Sequence, residues 1–124
     1  MSETIALCYH GVSAGWANPL VVAPQRLEEQ IAWFLRRGYE PVTVQQAAHG
    51  GGGKRLVITF DDALRSVYTR ALPQVERLGA VATVYAVARN VADGTPMAWP
   101  EVRDHLATEH AGELDGMSVA PLRD

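Results

Sequence analysis

The sequence predicts an α/β protein with a largely parallel sheet. Short apolar, β-branched-rich runs recur along the 124 residues, segments with helical spacing lie between them, and the two kinds alternate. Such alternation suits strands joined by helical crossovers.

The first run, "TIALCY" (residues 4–9), is short and apolar and ends in the loop-like "HGVSAGWANP", the pattern of a buried strand. "APQRLEEQIAWFLRRG" follows with Pro24 suited to a first helical turn, Leu27, Ile31, Phe34 and Leu35 on one face, and Gly38 as a stop. "YEPVTV" reads as a short strand, "QQAAHG" as one or two helical turns and "GGGGK" as a flexible link. "RLVITF" (residues 55–60) is the clearest strand. The segment "ALRSVYTRALPQVERLG" is helical but divided by Pro73, which opens a second helix running to Leu78. "AVATVYAV" is again a buried strand, "NVADGTP" a loop, "WPEVRDHLATEH" a helix opened by Pro100, and the remainder loop.

Composition narrows the function classes. Apolar residues make up 48% and charged residues 20%, the balance of a globular protein forming one domain. The length is short for a complete barrel enzyme, which takes about 200 residues or more. The net charge is −3, and neither sign forms a run able to follow a phosphate backbone, so nucleic acid is not an expected partner. No stretch has the length of a membrane span or the form of a signal peptide, so the expected location of the chain as written is cytoplasmic, with export open if a leader precedes it. The single cysteine, Cys8, lies in an apolar run and is expected as a small buried hydrophobe. "GGGGK" is not a phosphate loop: Ala48 takes the place of the first required glycine and Arg55 that of Ser or Thr.

Chemistry concentrates where "LVITF" ends in Asp61 and Asp62. In parallel α/β sheets ligands bind beyond the carboxyl ends of strands. Adjacent carboxylates repel unless a cation or donor compensates them; a divalent metal on one leaves its neighbour as a candidate base. The structural alternative is that Asp62 caps the following helix while Asp61 is solvated. His10 closes the first strand and points to the same end of the sheet. Of the tryptophans, Trp33 is expected to pack beside the apolar helix face, and Trp16, in the loop after His10, is the better substrate candidate.

With these segments in view, "LCYHGV", "PQRLEEQIAWFLRRGYEPVTV" and "VITFDDALRSVYTRALPQVERLGAVATVYAV" resemble the front half of the polysaccharide deacetylase family, carbohydrate esterase family four with its NodB-homology domain. The resemblance spans roughly residues 5–87. It implies the amino-terminal portion of a distorted (β/α) barrel that removes N-acetyl groups from amino sugars of a glycan with a divalent metal, most often zinc. It also implies that Asp61 is the general base, that Asp62 binds the metal, and that His10 lies by the site without being an established ligand. Ala63 departs mildly from the glycine common at that position.

The larger departure concerns histidines. The family completes its metal site with His-Ser/Thr-x-x-His, whereas His105 and His110 stand five apart without Ser or Thr after the first. On a helix, five residues turn by about 500°, so the two rings would diverge by about 140° and not share an ion. They are expected as solvated residues on a polar helix. "DGMSVAPLRD" resembles the segment leading to the true histidine motif, so the 1–124 domain is expected to stop before the metal site is finished, leaving an open edge that favours self-association. Three hypotheses follow: an N-deacetylase, a non-catalytic or truncated remnant of one, and, less favoured, a magnesium-dependent phosphoryl-transfer domain.

Overall fold

The structure, a computed structural model, describes residues 2–117. Its centre is strand β5 (Lys54–Asp62), the "RLVITFDD" segment. Strand β1 (Glu3–Tyr9) runs parallel along one edge, in register from Glu3 opposite Lys54 to Tyr9 opposite Phe60. The other edge is divided: β4 (Glu40–Val42) pairs with the first half of β5, and β6 (Thr83–Ala86) with the second, all parallel. The β6 ladder continues to Asp62 opposite Ala86, while the β1 ladder ends at Phe60. The carboxylate pair therefore projects past the end of β1.

Strand alternation decides what is buried. Leu56, Ile58 and Phe60 are fully buried in a core with Val12, Leu27, Ile31, Val67, Ala71 and Val75. Leu27 and Ile31 belong to helix α1 (Pro24–Leu35), whose first turn holds Pro24 as expected. After β4, helix α2 (Val44–Ala48) is opened by a capping box in which Thr43 and Gln46 each satisfy the other's backbone N–H. Val67, Ala71 and Val75 come from a π-helical turn (Val67–Ala71) that runs into α3 (Leu72–Arg77), with Pro73 in the first turn of α3.

The structure corrects several expectations. The first and last strands of the sheet were expected to be buried, yet Ala6 and Cys8 of β1 and Tyr85 and Ala86 of β6 are exposed. Each of these strands pairs with β5 alone among the described residues. Cys8 is thus an exposed thiol and not a core hydrophobe. Trp33 is 44% exposed with the Arg37 guanidinium 3.6 Å above its ring, so it lies on the rim of the helix. The expected loop after Arg89 contains helix α4 (Ala88–Asp93), closed by Gly94 at φ 64°, where glycine alone is unstrained. The helix begun by Pro100 is short, α5 (Pro100–Arg103), and gives way to a 3₁₀ turn (Asp104–Ala107) and then a second one (Ala111–Leu114).

The loop after His10 also carries order: β2 (Gly11–Val12) pairs in parallel with β3 (Val21–Val22). It rests on a second core of Trp16, Leu64, Met97, Val102 and Leu114. Glu113 fastens this region to the first core, accepting from Ser13 Oγ at 3.0 Å and pairing with Arg70 at 2.9 Å, while Arg70 also donates to the Val12 carbonyl at 2.8 Å. Among the described residues no helix is long and apolar enough to cross a membrane. Ser118–Asp124, most of the segment expected to lead towards a histidine motif, lie outside the described residues.

Candidate active site

The backbone at the end of β5 is strained. Asp62 has φ 71° and Ala63 φ 49°, two consecutive non-glycine residues in the left-handed region. Aspartate visits that region more readily than most residues, but alanine pays about 1–2 kcal/mol to do so. Such conformations persist only where their surroundings impose them, and they gather at functional sites. Here the surroundings are visible. Ala63 is fully buried, its carbonyl accepts from the Met117 N–H at 2.8 Å, Arg65 donates its N–H to the Asp115 carbonyl at 2.7 Å, and Leu64 bridges Gly116 in antiparallel sense.

Both aspartates close β5 just before this turn, and His10 stands near both. His10 Nε2 lies 3.7 Å from Asp61 Oδ2 and 4.0 Å from Asp62 Oδ2, distances too long for direct hydrogen bonds. His10 and the Asp pair lie together at one end of the sheet. Burial raises the Asp62 carboxyl above the usual carboxylate range; His10 opposes the rise and the Asp61 charge adds to it. A cation beside Asp62 would relieve both the burial and the repulsion, so this carboxyl suits a divalent ion by the chemistry of its surroundings. The capping alternative is not what forms: helical geometry starts at Arg65, and Asp62 makes no capping hydrogen bond among the described residues.

Sequence reasoning missed Cys8. Its thiol donates to Asp61 Oδ2 at 3.5 Å, and Cys8, His10 and Asp61 place ligand atoms within 4.8 Å of one another. Period-two alternation was the available signal: Cys8 lies in β1 and His10 stands two residues on, just past the strand's end, where continued alternation keeps both on one side.

The remaining candidates go elsewhere. Trp16 is only 6% exposed, with the His105 ring edge-on at a 5.0 Å centroid distance and the His110 ring stacked at 5.7 Å. Its ring is thus a packing element of the second core, not an open platform for sugar. His105 and His110 are not on one polar helix. They are partly buried, lie in separate turns and pack around Trp16 with centroids 6.5 Å apart. Neither belongs to the ligand cluster among the described residues.

Comparisons with known proteins follow this geometry. The poly-beta-1,6-N-acetyl-D-glucosamine N-deacetylase of Escherichia coli K12 is 39% identical over 77 residues, which cover 56% of this chain and 12% of that protein. The putative polysaccharide deacetylase YxkH of Bacillus subtilis 168 is 29% identical over 121 residues, covering 91% of this chain and 39% of its own length. The chain thus spans well under half of the curated relatives it matches. Among solved structures, IcaB from Ammonifex degensii superposes with a TM-score of 0.67 at 24% identity over 81% of this chain and 43% of its own. A de-N-acetylase from Aggregatibacter actinomycetemcomitans gives 0.74 at 16% identity over 97% and 49%. These neighbours identify the parallel sheet and its helices as part of a deacetylase barrel fold. A family profile described as polysaccharide deacetylase matches residues 48–121, which include the strained turn and both aspartates, and the chain belongs to that family.

Proposed function

We propose that this chain serves metal-dependent hydrolysis of the N-acetyl amide of amino sugars in a polysaccharide, with Asp61 as general base and Asp62 as ligand to a divalent ion, zinc foremost. The observation that carries the reading is the pair of adjacent carboxylates at the end of a parallel strand, where the backbone turns through a strained left-handed step, with His10 within 4.0 Å of both. Family membership and the acetylated glucosamine polymer named for the Escherichia coli relative support the substrate class.

The residues divide the work by their environments. Asp62 is the more buried carboxylate and gains most from a positive partner; its side chain is 24% exposed against 38% for Asp61. A bound divalent ion supplies Lewis acidity and lowers the pKa of water towards about 7. Asp61, open to the face where substrate would enter, accepts the proton that water loses as it attacks the acetamide carbon. His10 Nε2 stands beside both carboxylates, at 3.7 Å and 4.0 Å.

Acetate release from acetylated glucosamine polymers in the presence of zinc tests this reading. Asp61→Asn should reduce the rate by about 10²–10⁴, the usual worth of a general base, with the fold unchanged by circular dichroism. Wild-type rates in that variant would overturn the assignment. A second reading, a deacetylase relative that does not turn over, is favoured by one observation: His105 and His110 engage Trp16 and leave His10 as the lone histidine beside the aspartates among the described residues. A folded, zinc-binding chain that releases no acetate from any acetylated glycan is its signature.

A further inference from the structure

We propose that Cys8, His10 and Asp61 form a soft-metal site of their own, adjoining Asp62 and taking a thiophilic divalent cation such as zinc, cobalt or cadmium. The donor set is one thiol, one imidazole and one carboxylate, the types that zinc takes with an open fourth position. Around a tetrahedral zinc, with Zn–S near 2.3 Å and Zn–N or Zn–O near 2.0 Å, neighbouring ligand atoms stand about 3.3–3.6 Å apart. Cys8 Sγ to Asp61 Oδ2 is 3.5 Å and His10 Nε2 to Asp61 Oδ2 is 3.7 Å, so two edges of the tetrahedron are nearly in place. The third, between Cys8 and His10, lies within 4.8 Å.

Backbone geometry makes the set a rigid one. Cys8 lies in β1 and His10 just past its end; the in-register ladder places Cys8 opposite Thr59 and Tyr9 opposite Phe60, so the chain leaves it with His10 beside Asp61, 3.7 Å away. Cys8 is exposed, so a cation can reach it from solvent. Binding exchanges the S–H proton for the metal: the thiol leaves its proton to solvent and the sulfur lone pair bonds the ion, so affinity rises with pH. Since Asp61 would then be a ligand, its lone pairs are withdrawn from base duty, and an ion at this position opposes the hydrolysis proposed above. The inference shares Asp61 with that reading but does not need Asp62.

Cobalt(II) titration of the chelator-treated full chain tests it, because a thiolate bound to cobalt gives a sulfur-to-metal charge-transfer band in the near ultraviolet that oxygen and nitrogen ligands lack. The expected result is such a band saturating at one equivalent, absent in Cys8→Ser and Cys8→Ala and retained in Asp62→Asn. Asp61→Asn should weaken cadmium binding by roughly tenfold or more, the size that loss of even an outer-shell partner produces. Because Cys8 is exposed, both substitutions there should keep the wild-type circular dichroism spectrum. No band in the wild type, a band surviving Cys8→Ser, or equal loss of the band in Asp62→Asn would each overturn the proposal. Failure of the deacetylase reading looks different: acetate release unaffected by Asp61→Asn leaves the cobalt band untouched.

Discussion

The two faces of β5 have the same backbone and opposite fates. On one, Leu56, Ile58 and Phe60 are all fully buried, sealed by α1 and by the helical segment after the site. On the other, Val57 and Thr59 are nearly as buried, but the next residue in the series is Asp61, whose side chain is 38% exposed. Burial holds the strand; the last residue on its other face is open to solvent. The difference teaches that the rigidity needed to position Asp61 is supplied by side chains on the opposite face of the strand. Phe60, stacked on Tyr9 with ring centroids 5.5 Å apart, immediately precedes it.

Removing the buried face should therefore do the most damage. Phe60→Ala deletes a fully buried aromatic and should destabilise the chain by about 3–5 kcal/mol, measured as the shift in urea unfolding free energy. A loss under about 1 kcal/mol would mean that this face does not anchor the strand.

The site should show the reverse tendency. The Asp62 carboxyl is raised by burial and by Asp61 against the pull of His10, so the native state holds its proton more tightly than the unfolded state does. Stability is then lost as pH rises from the unfolded value near about 3.9 through the raised native value, and the deficit is complete above it. In chelator, Asp62→Asn should be more stable than wild type at neutral pH, and the gain should vanish below about pH 4. A midpoint difference that does not change with pH would remove electrostatics as its source.

The smallest effect is expected at Ala63. Glycine would relieve about 1–2 kcal/mol of left-handed strain, while adding about 0.5–1 kcal/mol of unfolded-state freedom and losing a buried methyl. Ala63→Gly should stay within about 1 kcal/mol of wild type. Ala71→Gly, at right-handed helical backbone angles (φ −82°, ψ −51°) where the π-helical turn meets α3, should lose about 1 kcal/mol or more. Equal thermal shifts at the two positions would contradict the strain assigned to the turn.

Most of the sheet was legible because periodicity and punctuation were strong: Pro24 and Pro73 mark helix starts, and "RLVITF" reads as a strand. The burial of β1 and β6 was not legible. An apolar run looks the same whether its sheet has neighbours on both edges or on one, and that is a property of partners. The carboxylate pair and His10 could be placed because strand ends are local features. Cys8 was misplaced because an apolar setting outweighed its alternation with His10. Trp16 and its flanking histidines were misread for another reason: their meeting joins residues about ninety positions apart, and no local pattern records it.

The Met117 N–H on the Ala63 carbonyl has a consequence for how the site comes into being. The turn that closes the strand at the aspartates is clasped by residues some fifty positions later in the chain, and a left-handed alanine gains nothing until that clasp closes. Closing so long a loop is slow relative to forming the helices and the first ladder. The strand should form first with the turn after it relaxed, and the left-handed backbone at Asp62 and Ala63 should be set as one of the last events of folding.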